Sequence, residues 1–170
     1  MSKTDSDIKI LPMSSDHLAA VADIETSVFP DPWSAASFLE AMSFSDKCWV
    51  AVAGNRVAGY LVTQWVMDEI HILNIAVAKD MQRRGIARQL LEMLLDSGKR
   101  CGIAEIFLEV RKSNHPAQAL YHAFGFTALT TRKRYYRDGE DALIMHCPLV
   151  TDDYPSEDLS PSAESSDITR

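Results

Sequence analysis

Six consecutive residues, Gln82, Arg83, Arg84, Gly85, Ile86 and Ala87, have the types and spacing to hold a phosphate. The apolar run Ile72-Leu73-Asn74-Ile75-Ala76-Val77 precedes them, and Ile86, Leu90, Leu91, Leu94 and Leu95 follow at helical spacing, so the order reads strand, loop, helix. The first N–H groups of a helix lack intrahelical partners and lie at the positive end of its dipole, which suits an anionic ligand. Gly85 lets the backbone come close, and Arg83 and Arg84 add forked donors that match phosphate oxygens. A Walker loop would end in Gly-Lys-Ser/Thr, and a dinucleotide fold would need Gly-x-Gly-x-x-Gly with an acidic residue downstream; neither pattern is present.

What is present, Gln/Arg-x-x-Gly-x-Gly/Ala between a strand and a helix, resembles the pyrophosphate loop of the GCN5-related N-acetyltransferases (GNAT), the acyl-CoA-dependent family. Further on stand Leu108-Glu109-Val110-Arg111-Lys112-Ser113-Asn114, then Ala119-Leu120-Tyr121 and Gly125-Phe126. This segment is similar to the ribosomal-protein alanine acetyltransferase, or RimI, branch of that family, as are Pro32-Trp33-Ser34 and Arg134-Tyr135-Tyr136. The resemblance runs from about residue 8 to residue 150. It implies the α/β GNAT (acyl-CoA N-acyltransferase) fold, a mixed central sheet with a splayed parallel strand pair, flanked by helices. One acetyltransferase domain is expected over residues 1–150, with an acidic tail over 151–170.

The resemblance also assigns roles. Acetyl transfer from a thioester needs a neutral amine, a path for its proton and a donor for the departing thiolate. Glu109 is expected to take the proton, directly or through water, and Tyr121 to present its phenol at the sulfur. Acetyl-CoA is the implied co-substrate, without metal or covalent intermediate. The backbone of Ile75, Ala76 and Val77 would pair with the pantetheine arm, one of its N–H groups polarising the thioester carbonyl. Gln82, Arg83, Arg84, Gly85, Ile86, Ala87 and Arg88 would hold the pyrophosphate, and the Asn114 side chain would touch the coenzyme. Trp33, Tyr135 and Tyr136 would flank the acceptor, which in that branch is the N-terminal alanine of a ribosomal protein. An α-amino group of pKa about 7.8 is about 14% neutral at pH 7, against about 0.04% for lysine at about 10.4, so one carboxylate base suits an N-terminus better. Lysine, a polyamine or another small amine stay open as acceptors, as does a non-catalytic acyl-CoA-binding module. Arg132, Lys133, Arg134 and Arg137 do not obviously welcome the basic start of the implied ribosomal substrate.

Several elements must position these groups. A strand over 8–11 ends at Pro12, and Ser14 or Ser15 caps a helix carrying Leu18, Val21, Ala22, Ile24 and Val28. Pro30 and Pro32 interrupt it, and Ser34 caps a second helix through Phe38, Leu39 and Met42. Residues 48–53 and 57–62 form a hairpin about Gly54-Asn55-Arg56, with Gly59 marking a bulge or a close contact. A turn at Asp68-Glu69 leads into the key strand. The helix over 86–100 ends at Cys101-Gly102, with Lys99 and Arg100 at its negative end. A strand over 104–110 then makes a parallel, right-handed pair with 72–77, and both carboxyl ends face one cleft. Asn114 or His115 caps the next helix, whose Ala119, Leu120, Tyr121 and Phe124 should face the core, and Gly125 stops it. Strands over 127–136 and 141–149 close the chain about a turn at Asp138-Gly139.

Composition sets the bounds. With 170 residues and 46% hydrophobic positions the chain supports one sizeable core. No apolar run reaches membrane-spanning length and the start lacks a secretory pattern, so a soluble cytoplasmic protein is expected. Cys48, Cys101 and Cys147 are scattered, without metal or redox spacing, and His71 stands in a strand-like run with its facing open. Residues 151–170 hold six carboxylates against one arginine, five of the seven net negative charges, and are too polar to fold alone. The near-neutral remainder gives no reason to expect nucleic acid as a ligand.

Overall fold

Alternating apolar residues build most of the architecture. In a computed structural model, which describes residues 7–45 and 47–149, seven strands form one sheet. They are β1 Ile8–Pro12, β2 Cys48–Ala53, β3 Arg56–Val66, β4 Glu69–Val77, β5 Glu105–Arg111, β6 Thr127–Arg132 and β7 Ala142–Pro148, in the order β1-β2-β3-β4-β5-β7-β6. Every neighbouring pair is antiparallel except β4 and β5, which are parallel as expected. Four helices, α1 Leu18–Val28, α2 Ala35–Phe44, α3 Ile86–Arg100 and α4 His115–Ala123, flank the sheet. The expectations for the tail fall on residues 151–170, outside the described residues.

The two sheet faces bury different helices. Ile86, Leu90, Leu91 and Leu94 of α3 and Tyr121 of α4 share a core with Leu61, Ile70, Ile106 and Met145. On the other face Val21 and Ile24 of α1 and Phe38 of α2 pack on Val50, Tyr60, Val62 and Ala76. Each large apolar side chain so buried contributes about 1.5–3 kcal/mol. Caps set the helix limits: Ser34 Oγ accepts from the Ser37 N–H at 3.1 Å, and Asn114 Oδ1 from the Ala117 N–H at 3.2 Å.

Two bulges shape the sheet near the site. Ala51 pairs with Gly59 but Val52 with Val57, so Ala58 is an extra residue beside Gly59. A Cβ on Gly59 would lie 2.9 Å from the Ala76 carbonyl oxygen, so the glycine also permits a close approach of β3 to β4. Farther along, Val62 pairs with Asn74 but Thr63 with Ile72, leaving Leu73 as an extra residue in β4. A bulge of this kind bends and twists its strand.

Three expectations need correction. The turn between β3 and β4 is at Met67-Asp68, with Met67 left-handed at φ 55°, because Val66 already pairs with Glu69. β6 ends at Arg132 and not at Tyr136: Arg134 is left-handed at φ 51° and its N–H donates to Asp141 Oδ1, so residues 133–141 form a long connection. Ala119 is exposed, since the inner face of α4 follows Ala117, Leu120, Tyr121 and Phe124.

Gly59→Ala should push on the Ala76 carbonyl and destabilise the protein by about 1–3 kcal/mol. Urea denaturation measures this, and an unchanged midpoint would show that β3 and β4 have room to spare.

Candidate functional site

The parallel strands part company at the middle of the sheet. Pairing of β4 with β5 runs from Glu69 with Glu105 to Ile72 with Leu108 and stops. Beyond it β4 continues to Val77 on β3 alone, and β5 continues to Arg111 on β7 alone. The Leu73 bulge begins where the strands separate. Residues Ile75, Ala76 and Val77 therefore pair with β3 on one side and, on the other, border the gap left by β5, with no strand partner among the described residues.

The basic loop opens from the end of β4. Lys79–Met81 form a 3-10 turn, Arg56 grips Asp80 with two contacts of 2.6 Å, and Gln82 Nε2 donates to the Val77 carbonyl at 3.1 Å. The Asp80 carboxyl is held below the usual carboxylate range, chiefly by the Arg56 hydrogen bond. Arg83 and Gly85 are both left-handed, at φ 63° and 78°, and the Gly85 carbonyl accepts from the Gln89 N–H, the first bond of α3. The N–H groups of Ile86, Ala87 and Arg88 thus open the helix without intrahelical partners, beside the exposed side chains of Gln82, Arg83 and Arg84. Arg88 lies 5.1 Å from the Phe124 ring centroid, which sets the end of α4 beside the start of α3. This end of α3 combines unpartnered N–H groups with positive side chains, a geometry and charge suited to an anion.

Glu109 projects from β5 onto the face opposite α3 and α4, exposed, with Arg132 Nη1 3.8 Å from its Oε1. Tyr135 and Tyr136, from the connection between β6 and β7, meet edge to face at 5.1 Å. Both feel the charge of Glu109: burial first, then Glu109, push the Tyr135 phenol up, with Arg132 opposing. The Tyr136 phenol is pushed up to about 12, by burial first and then by Tyr135, Glu109 and Glu140 against the opposing Arg111. Tyr121, 7% exposed, is raised further by burial and then by Tyr136. All three phenols keep their protons at neutral pH and remain donors. Of these residues Tyr135 and Tyr136 touch each other, while Glu109 acts on both, and Tyr136 on Tyr121, through charge alone.

Two positioning groups had no role in the sequence reading. Arg111, two residues beyond Glu109, lies 4.0 Å from the Tyr136 ring centroid and bonds Asp138 at 2.8 Å and Glu140 at 3.1 Å. Glu140 also accepts from the Ser113 N–H at 3.0 Å, so the tyrosine connection is clamped to the end of β5. Its signal was the charge pattern Arg111 against Asp138 and Glu140, which has no local spacing to reveal it. The second is Glu25 of α1, buried at 1% exposure and bonded to the Trp33 N–H.

The remaining candidates fall elsewhere or do double duty. Trp33 packs against Phe38 at 5.3 Å, in the connection between α1 and α2. Asn114 spends its oxygen on the cap of α4, a use compatible with a ligand contact through its amide nitrogen. His71 faces the Glu109 side of the sheet, stacked on Phe107 at 5.3 Å with its Nε2 3.0 Å from Glu69. Cys101 is exposed at the far end of α3, a 15-residue helix and thus about 22 Å from the loop. Among the described residues, no group of three or more His, Cys, Asp or Glu side chains is arranged to hold a metal.

Comparison with known proteins agrees with this geometry. Residues 18–126 match the Acetyltransferase (GNAT) family. The curated ribosomal protein bS18 alanine N-acetyltransferase of Salmonella typhimurium is 39% identical over 140 residues, covering 81% of this chain and 95% of that protein. An N-alpha-acetyltransferase of Saccharolobus solfataricus is 34% identical over 148 residues, covering 79% of this chain and 89% of its own. The crystal structure of the ribosomal-protein-S18-alanine N-acetyltransferase of Escherichia coli superposes with a TM-score of 0.80 at 36% identity, over 91% of this chain and 99% of that one. A matched family over most of the chain, relatives of similar length and a splayed parallel pair ending in a basic loop lead to one conclusion: the chain belongs to the acetyltransferase (GNAT) family.

Proposed function

We propose that this acetyltransferase moves the acetyl group of acetyl-CoA directly onto the N-terminal alanine of a ribosomal protein. The observation that carries the reading is the gap between β4 and β5, which runs from the anion site at the start of α3 to Glu109. The relatives named for bS18 acetylation support the acceptor.

In this reading the coenzyme's pyrophosphate rests on the N–H groups of Ile86, Ala87 and Arg88, with Gln82, Arg83, Arg84 and Gly85 around it. The pantetheine arm lies along Ile75, Ala76 and Val77, with Asn114 beside it, and an N–H of that strand draws charge from the thioester carbonyl. The acceptor enters from the Glu109 face, between Trp33 and the pair Tyr135 and Tyr136. Glu109 takes the ammonium proton, directly or through water, and the neutral amine attacks the carbonyl carbon. The C–S bond breaks as the C–N bond forms; Tyr121, protonated throughout the neutral range, gives its proton to the departing sulfur and regains one through water from the nitrogen as it becomes an amide. The raised pKa keeps the phenol protonated over the range in which the amine becomes neutral.

We place the protein in the cytoplasm, where ribosomal proteins are made; no described helix is long and apolar enough to cross a membrane. The domain is taken as residues 1–150, with the acidic tail outside it.

Three experiments test this reading. Thiol release from acetyl-CoA is expected with a synthetic ribosomal peptide that starts at a free alanine and not with its N-terminally blocked twin; equal release from both would move the target to lysine. Glu109→Gln should lower kcat by about 100-fold while coenzyme affinity stays within about twofold, and near-normal turnover would remove Glu109 as the base. Tyr121→Phe should lower kcat by about 10-fold or more without changing the shape of the pH–rate profile between about pH 6 and 9, since the raised phenol never titrates there. Loss of an alkaline limb in that variant would show that Tyr121 ionises within the working range.

A further inference from the structure

Glu25 is a buried carboxylate that the proposed chemistry leaves without a task. It stands in α1 at 1% exposure, where burying a charge is costly and an apolar residue would pack as well. Three donors from three other segments converge on it. The Trp33 backbone N–H donates to Oε1 at 2.9 Å; Asn74 Nδ2 donates to Oε2 at 3.0 Å; and the Tyr60 hydroxyl donates to the same Oε2. The Glu25 carbonyl in turn accepts from the Phe29 N–H and closes α1. One residue thus ties together the end of α1, the connection carrying Trp33, strand β3 through Tyr60 and strand β4 through Asn74.

The location of these ties gives them a use. Asn74 follows the Leu73 bulge and immediately precedes Ile75, where β4 has left β5. Trp33 and Asp31 lie in the connection that faces the tyrosine segment between β6 and β7, where Arg137 Nη1 comes within 3.7 Å of Asp31 Oδ1. Phe38 bridges the rest, with its ring 5.3 Å from both Trp33 and Tyr60. The distance between the strand that would hold the thioester and the wall that would hold the acceptor is therefore set through one carboxylate. We propose that Glu25 is a positioning residue that fixes the acceptor wall relative to the thioester strand, so that acceptor binding, and not coenzyme binding, depends on it. This rests on the proposed function only in taking the Trp33 connection as an acceptor wall.

The test varies both substrates with the full chain as wild type, Glu25→Asp and Glu25→Gln. Aspartate keeps the charge but withdraws it by one methylene, so it cannot reach Trp33 and Asn74 together; glutamine keeps the reach and one accepting oxygen. Glu25→Asp should raise the peptide KM about tenfold, the worth of one lost hydrogen bond, with the acetyl-CoA KM within about twofold, and Glu25→Gln should raise the peptide KM at least as much, because its NH2 must face the Trp33 N–H when its oxygen keeps Tyr60 and Asn74. Amide exchange at Trp33 should quicken in Glu25→Asp, while exchange in β2 and β7 stays put. If neither Glu25 variant folds, Tyr60→Phe, which removes one donor and keeps the ring packing, must show the same split in KM. Unchanged kinetics, or a rise in both KM values together with a lower melting temperature, would overturn the proposal. A wild-type protein inactive on every free peptide would sink the acceptor reading itself; the exchange at Trp33 would then decide the lock alone, and an unchanged rate would overturn it.

Discussion

The site depends on a sheet whose middle cannot zip shut. β4 and β5 are joined at Glu69 to Ile72 and Glu105 to Leu108, and then each is carried away by its other neighbour. Past that point β3 holds β4 as far as Val77, and β7 holds β5 as far as Arg111. The extra residue Leu73 supplies the bend at the point of separation. Backbone groups on the inner edge of residues 75–77 then need partners from outside the sheet, and buried backbone groups are seldom left without them. A ligand with an amide-bearing arm is the chemical complement of such an edge, and Glu109 stands on β5 just past the last residue paired with β4.

The rest of the chain holds this arrangement in place from both faces. On one side the buried row of α3 seats the basic loop, and Gly98 allows the helix so near the sheet that an added Cβ would lie 2.8 Å from Leu149 and 3.2 Å from Ile70. The pair of Arg56 with Asp80 and the Gln82 side chain fix where β4 ends and the loop begins. On the other side charged groups do the positioning: Arg111 anchors the tyrosine connection through Asp138 and Glu140, and Glu25 anchors the Trp33 connection. Both anchors reach across more than one element, so both connections are referred back to the strands that frame the gap.

What could be read in advance follows from range. The limits of α3 were legible because its apolar spacing, its opening glycine and its closing Lys99-Arg100-Cys101-Gly102 are all local signals. The caps at Ser34 and Asn114 were legible for the same reason, and the parallel pair followed from strand, helix, strand. The Leu73 bulge was hidden, since Leu73 fits an apolar strand whichever way it points and only the register against β3 reveals it. The pairing of β7 with β5, which leaves β6 at the edge, depends on partners more than thirty residues apart. Tyr135 and Tyr136 looked like strand aromatics because the left-handed Arg134 that ends the strand carries no marker of its own. Glu25 was invisible for a similar reason: a lone glutamate on an amphipathic helix looks solvated until Trp33, Tyr60 and Asn74 are seen around it.

The central claim is that the gap between β4 and β5 and the start of α3 together form the coenzyme site. Hydrogen–deuterium exchange of the full chain with and without acetyl-CoA tests it most directly. The account predicts new protection at the amides of residues 75–77 and 86–88 together, with the amides of β1 and β6 unchanged. Saturating coenzyme that protects the start of α3 but leaves residues 75–77 exchanging as before would contradict it, because the arm would then lie outside the gap.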